Sequence, residues 1–216
     1  MKVIIFDADG VLIGGKDKSG TYLWGKNIER DLGLSPEQMR QIYADDWTSV
    51  IKGQRDVQTH FKTIFDRLNI PLSADVFIDY WLEHDTNVNE EILPVLASIK
   101  GHKLYIGTNQ EKSRTAVLEK KFGAYFEGIF SSYHIGAMKP EPAFYKYIET
   151  TLNVQPQDIA FIDDSLSHVQ AAQRCGWTGH HYQNVEGLKE FLGILNALRE
   201  STVALYPTEN KQTSSP

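Results

Sequence analysis

A single cysteine, Cys175, stands among 216 residues, so no disulfide can close within the chain and no cysteine-based zinc site can be built. Stability must come from an apolar core, and a domain of this length buries roughly 70% of its unfolded surface. A lone thiol suits a reducing compartment. Long hydrophobic runs are also missing: the opening run Val3 to Phe6 is four residues, far short of the ~20 that span a bilayer or of a secretory core. A cytoplasmic, soluble protein with no membrane partner is expected. Positive charge is scarce, with 22 Lys and Arg against 28 Asp and Glu and a net charge of -6. That balance argues against a general nucleic-acid binder, which shows a basic face. It also means that a phosphorylated ligand needs a metal or local lysines to reverse the field.

What is present is an alternation of short apolar runs and amphipathic stretches. "KVIIFDA" (2–8), "HKLYIGT" (102–108), "EGIFSS" (127–132), "DIAFIDD" (158–164) and "TGHHYQ" (178–183) read as strands. Between them "NEEILPVLASIKG", "EKSRTAVLEKKFG", "EPAFYKYIETTLNV" and "SLSHVQAAQRCGW" carry apolar residues at helical spacing. Gly101, Gly123 and Gly176 fall where helices end, and Pro142 where one begins. Repetition of strand, helix and strand predicts an α/β fold, with a parallel, Rossmann-like sheet covered by helices on both faces.

One long interruption separates the first strand from the rest. Residues 15–88 contain "TYLWGKNIERDLG", "SPEQMRQIYADDWTSVIKG", "RDVQTHFKTIFDRLN" and "SADVFIDYWLEHD", several opening at Ser or Asp N-cap candidates. They predict a helical insertion, or cap, over a catalytic core of residues 1–14 and 89–200. Residues 201–216 are polar and aperiodic and are expected to form a disordered tail. No internal repeat is evident.

The chemistry collects at the strand ends, where parallel open sheets bind ligands. Strand one ends in Asp7, Asp9 and Gly10, strand two in Thr108, Asn109 and Gln110, strand three in Ser131 and Ser132 with Lys139 following, and strand four in Asp163, Asp164 and Ser165. Four carboxylates sharing a rim with one lysine must shift their pKa values or bind a hard divalent cation, and magnesium suits oxygen ligands with room for a phosphate. A strand-end carboxylate can act as a nucleophile, which makes Asp7 the candidate for an aspartyl phosphate. Asp9 can protonate the leaving oxygen and then activate water. Thr108 and the amide of Asn109 can hold phosphoryl oxygens, Lys139 supplies compensating charge, and Asp163 and Asp164 complete the metal site.

In this order and spacing, "DADGV", "GTN", "KPEPAFY" and "FIDDS" resemble the four motifs of the haloacid dehalogenase-like superfamily, and the insertion after the first motif is similar to its C1-type cap. The likeness covers residues 1 to about 195. It implies a strand order of 5-4-1-2-3 and these roles: Asp7 nucleophile and metal ligand, Asp9 acid and base with its carbonyl on the metal, Thr108 and Lys139 on phosphate and nucleophile, Asp163 and Asp164 on the metal side. Superfamily members that cleave carbon–halogen bonds generally lack the second acid, so Asp9 favours phosphorus chemistry. Many phosphatases of the superfamily carry another acid where His168 stands here.

The expected activity is a magnesium-dependent phosphatase acting on a small phosphorylated metabolite, of sugar-phosphate or phosphoglycolate type, through an aspartyl-phosphate intermediate. The alternatives are a sugar phosphomutase, then a 2-haloacid dehalogenase or a non-catalytic phosphometabolite-binding regulator. Substrate choice must come from outside the shared phosphate machinery, and Trp24, Trp47 and Arg55 are the first candidates for the cap's inner face. Cys175, His168 and the His180-His181 pair are expected in structural or surface roles. Oligomeric state is left open.

Overall fold

The computed structural model describes residues 3–14 and 23–205. Five strands, β1 (Val3–Phe6), β2 (Lys103–Thr108), β3 (Gly128–Ser131), β4 (Ile159–Asp163) and β5 (Thr178–His181), form one parallel sheet in the order β3-β2-β1-β4-β5. This is the expected doubly wound order. β1 lies at its centre, with Val3 to Phe6 in register with Lys103 to Ile106 on one side and Ile159 to Ile162 on the other. All four residues of β1 are buried, which is why the run is continuously apolar rather than alternating. The pleat still sorts them: Ile4 and Phe6 join Leu104, Ile106 and Leu188 on one face, while Ile5 packs with Phe144, Tyr145, Phe161 and Trp177 on the other.

After β1 the described chain runs through a 3-10 turn (Leu23–Asn27) and the helices of the insertion: α1 (Ile28–Leu32), α2 (Pro36–Ala44), α3 (Trp47–Ile51), α4 (Val57–Leu68) and α5 (Ala74–His84). Ser35, Asp46, Asp56 and Ser73 each accept a backbone N–H as N-cap, and Ser35 with Gln38 completes a capping box. The run "SPEQMRQIYADDWTSVIKG", which reads as one helix, is two. Asp45 is extended and the Asp46 carboxylate accepts from Ser49 N, because a short acidic side chain competes well for helix-start amides. These helices bury an apolar cluster of their own, centred on Phe61, Phe77 and Trp81.

Six further helices cover the sheet: α6 (Leu93–Ser98), α7 (Lys112–Phe122), α8 (Ser132–Ile135), α9 (Pro142–Leu152), α10 (Leu166–Arg174) and α11 (Val185–Leu205). α6 is shorter than its sequence pattern predicts, with Pro94 in its first turn, a position proline tolerates only at a helix start. α11 runs to Leu205, so the backbone is helical through the first residues of the segment expected to be a tail; residues 206–216 lie outside the described residues. No described helix is long and apolar enough to cross a membrane. The insertion rests on the sheet's carboxyl edge through specific contacts: Ser132 Oγ donates to Ile51 O at 2.6 Å, Lys52 pairs with Glu141 at 2.5 Å, and Lys121 Nζ donates to Thr86 O at 2.7 Å.

Candidate active site

Directly after β1 the backbone tightens. Val11, Leu12 and Ile13 all donate to Ala8 O, and Gly10 N donates to Ile13 O at 2.9 Å. The turn holds Asp7 where the strand leaves the sheet: its N–H still donates to Ile162 O at 2.8 Å, while Oδ1 accepts from Ala8 N at 2.6 Å. Gly10 is required twice over. Its φ is +78°, and a Cβ there would overlap the carboxylate of Asp164. Asp164 is exposed, so the ends of β1 and β4 approach each other across this glycine.

Lys139 is the hub of the buried part. It is 1% exposed, and Nζ lies 2.8 Å from Asp7 Oδ1 and 2.7 Å from Asp163 Oδ2. Its backbone is braced reciprocally by Asn109, whose Nδ2 donates to Lys139 O at 2.9 Å and whose Oδ1 accepts from Lys139 N at 2.8 Å. Thus Asn109, read from sequence as a substrate contact, sits here as a support for the lysine. Thr108 ends β2 beside it and is buried. Asp163 is saturated: Oδ1 accepts from Ser165 N at 2.8 Å, and His168 Nδ1 lies 3.1 and 3.2 Å from its two oxygens. His168, expected to have no part, is therefore in the cluster; on α10 it lies one helical turn beyond the strand end.

The electrostatics follow from one cation serving two buried carboxylates. Burial pushes Asp163 up, but Lys139 and His168 more than offset it and hold the acid well below the usual carboxylate range. Burial likewise dominates at Asp7, Lys139 only partly offsets it, and Asp163 and Asp9 add repulsion, so Asp7 is pushed well above its ordinary value. For Lys139, burial acts downward and the paired acids outweigh it. The cluster thus lacks one positive charge. Oxygen ligands with uncompensated negative charge fit a hard divalent cation such as magnesium; Asp7, Asp163 and His168 place ligand-type atoms within 4.8 Å of one another, but the Asp163 oxygens and His168 Nδ1 are already engaged with each other.

Asp9 faces away from this cluster. Its carboxylate, 42% exposed, takes a bidentate contact from Arg114 at 2.6 and 2.7 Å and a hydrogen bond from Gln110 Nε2 at 2.5 Å. Arg114, on α7, is 4% exposed at its side chain and also donates to Asp85 O at 2.7 Å, with Asp85 Oδ2 at 3.3 Å. Burial raises Asp85 to about 6, with Arg114 opposing. Sequence reading missed Arg114 and Asp85. A signal existed: Arg114, Leu118 and Phe122 form an i, i+4 row, all three buried, and an arginine in such a row needs acidic partners.

Beyond Asp9 a cavity of about 920 Å³ opens between the insertion and the loop after β2. Trp24 and Trp47 line it, as expected of the cap's inner face; Arg55 does not line it, and Trp81, Tyr43 and Met39 do. The remaining sequence candidates lie elsewhere: His180 stacks on Phe191, His181 Nε2 lies 3.0 Å from Asp164 O, and Cys175 is half-buried at the end of α10.

Comparison with known proteins places this arrangement. A family profile described as haloacid dehalogenase-like hydrolase matches residues 1–176. Flavin mononucleotide hydrolase 1 of Arabidopsis thaliana is 32% identical over 107 residues, 49% of this chain and 43% of its own, so the chain spans less than half the length of that relative. A sesquiterpene phosphatase of Aspergillus oryzae is 23% identical over 184 residues, covering 83% of this chain and 89% of the relative. Among solved structures, a HAD family enzyme of Bacteroides thetaiotaomicron in complex with magnesium and inorganic phosphate superposes with a TM-score of 0.71 at 20% identity, covering 85% of this chain and 94% of the other; at that identity it shows the shared fold. With the profile spanning most of the sequence, the chain belongs to the haloacid dehalogenase-like hydrolase family.

Proposed function

We propose that this hydrolase is a magnesium-dependent phosphomonoesterase that works through an aspartyl phosphate on Asp7. The observation that carries the reading is the buried Asp7–Lys139–Asp163 cluster at the carboxyl edge of the sheet, short of one positive charge. A phosphatase from Aspergillus oryzae among the relatives supports it. With Oδ1 of Asp7 held by Ala8 N and Lys139, Oδ2 is the oxygen assigned to attack phosphorus. The Asp7–phosphorus bond forms as the bond to the ester oxygen breaks, and Asp9 gives that oxygen its proton. Water then attacks the phosphorus, Asp9 takes the water's proton, and inorganic phosphate leaves with Asp7 restored. To deliver its proton Asp9 must first part from Arg114, so a rotation of its side chain is built into the cycle.

Asp7, Asp164 and the main chain at Asp9 would hold magnesium, while Asp163, its oxygens already engaged by Lys139, Ser165 and His168, orients the lysine. When bound, the ion offsets charge on the phosphoryl oxygens. Thr108 and Lys139 bind the phosphoryl group, and the helices of residues 15–88 act as the cap that shields it from water. The substrate is a phosphorylated metabolite met in the cytoplasm. Phosphate release from 4-nitrophenyl phosphate, with magnesium or with a chelator, tests the reading in wild type and Asp7→Asn. Turnover that needs magnesium and is abolished in the variant is expected; turnover surviving Asp7→Asn would overturn the assignment.

A further inference from the structure

The cavity beyond Asp9 has walls that select against a hydroxylated substrate. It reaches Asp9 and the loop residues Asn109 and Gln110, and from there Trp24, Tyr43, Trp47, Trp81, Leu34 and Met39 form most of its buried wall. A sugar hydroxyl placed among indole and aliphatic groups gives up its water partners and gains none, a cost that each further hydroxyl repeats. A two-carbon acid such as phosphoglycolate would leave most of about 920 Å³ unfilled. At the mouth one polar anchor stands ready. Arg114 lines the cavity, its side chain is 4% exposed, and its Nε–H has no partner although the rest of the guanidinium is engaged. A buried arginine donor left unpaired is costly unless something completes it.

We propose that the substrate is the phosphate monoester of a bulky apolar alcohol, hydrocarbon or aromatic, whose leaving group fills this cavity while its ester oxygen lies at Asp9 and Arg114 Nε. This rests on the hydrolase reading for the position of the phosphate, and it departs from the sugar-phosphate and phosphoglycolate expectation. The aromatic wall supplies area and shape, because ring faces bury large apolar surface and stack on flat or chain-like hydrocarbon alike. Of the charged residues in the described lining, Asp9, Asp85 and Arg114 sit at the phosphate end and Lys26, Glu29 and Arg40 are exposed, so the buried part of the wall reads the alcohol by apolar volume. Trp47 is the residue most exposed to that choice: it is half-buried, and its ring already packs on Tyr43, Phe61 and Trp81.

Two measurements test this separately from the chemistry. In wild type, kcat/KM from phosphate release is compared for 1-naphthyl phosphate and n-octyl phosphate, the latter below its micelle concentration, against glucose 6-phosphate and 2-phosphoglycolate. The apolar esters are expected to be at least about tenfold better. Trp47→Ala is expected to raise KM for n-octyl phosphate about tenfold while changing 2-phosphoglycolate less than about twofold, with Trp47→Phe restoring most of the loss. In Asp7→Asn, titration calorimetry reads binding without turnover, and saturable heat from the apolar esters alone is expected. Equal or better kcat/KM for the hydroxylated esters, or no saturable binding of the apolar ones, would overturn the assignment. Apolar binding without hydrolysis of any ester would count against the hydrolase reading and leave the cavity's selectivity standing.

Discussion

The strand-end cluster and the cavity above it bury side chains by opposite rules. At the sheet edge, Asp7, Lys139 and Asp163 are charged groups taken almost wholly out of water, each held within 2.8 Å of a partner. In the insertion, Trp24, Phe61, Phe77 and Trp81 bury rings against rings, with centroids 4.8 to 6.3 Å apart, and the recognition surface is built from the same material. Charges in low dielectric tolerate almost no displacement, because their energy falls off with distance and their desolvation does not. Apolar walls can exchange one shape for another at modest cost. On the proposed function the reacting atoms are set by the sheet, and selectivity is left to helices that can vary without disturbing them. Arg114 joins the two regions: it rises from α7, holds Asp9 on the core side and meets Asp85 at the end of the insertion.

The sharpest way to break this contrast is to neutralise Asp7, the proposed nucleophile. Asp7→Asn is expected to lower kcat by about a thousandfold or more, while circular dichroism shows a folded protein, because Lys139 keeps Asp163. Removing the hub instead should strike stability. Lys139→Met leaves two buried acids without their cation and is expected to cost about 3–5 kcal/mol in urea denaturation. The pH dependence should change with it. In wild type the depressed Asp163 contributes stability that is full above its unfolded pKa and is lost as pH falls through the folded value, while the raised Asp7 acts in the opposite sense. Without Lys139, Asp163 loses its strongest stabilising partner and Asp7 its cation, so the variant should lose less stability on acidification than wild type. Arg114→Lys tests the joint between the regions. A lysine cannot make the bidentate contact that sets the resting position of Asp9 and lacks the Nε–H assigned to the ester oxygen, so kcat/KM is expected to fall about 10- to 100-fold. An unchanged kcat/KM would remove Arg114 from both roles.

Much of this was legible from sequence, and the limits are physical. β1 and β4 could be read because strands buried on both faces must be apolar throughout, and the acids that close them stand out against that background. The pairing of Lys139 with Asp7 and Asp163 followed once the strands were known to share an edge. The contact between Arg114 and Asp9 spans 105 residues and leaves no local pattern beyond one arginine in a buried helical row. Arg55 was misread for a related reason: a charged residue just before α4 carries no record of which way the helix turns. The division of "SPEQMRQIYADDWTSVIKG" into α2 and α3 was encoded at Asp45-Asp46, where apolar spacing outvoted capping chemistry. Trp47, at the first position of α3, owes its place on the cavity wall to that break.

The smallest effect expected lies deep in the insertion, at a histidine buried among its aromatic rings. His60 on α4 is fully buried between Trp47 and Phe61, and neither ring nitrogen has a hydrogen-bond partner. Burial first, and Arg55 next, lower its pKa, with Arg67 adding to this and Asp45 and Asp46 opposing. A histidine kept neutral by the fold binds fewer protons than in the unfolded chain, where it titrates near its ordinary value. Stability is then complete above that unfolded pKa and declines as pH falls through it toward the lowered folded value. His60→Phe keeps a flat ring beside Trp47 and removes both unpaired nitrogens. It is expected to raise the unfolding free energy from urea denaturation at pH 7.5 by on the order of 1 kcal/mol and to lessen the loss between pH 7.5 and 5.5. Activity should stay the same, because His60 is not among the residues lining the cavity. A variant that is less stable at both pH values would show that the ring nitrogens of His60 are satisfied in solution.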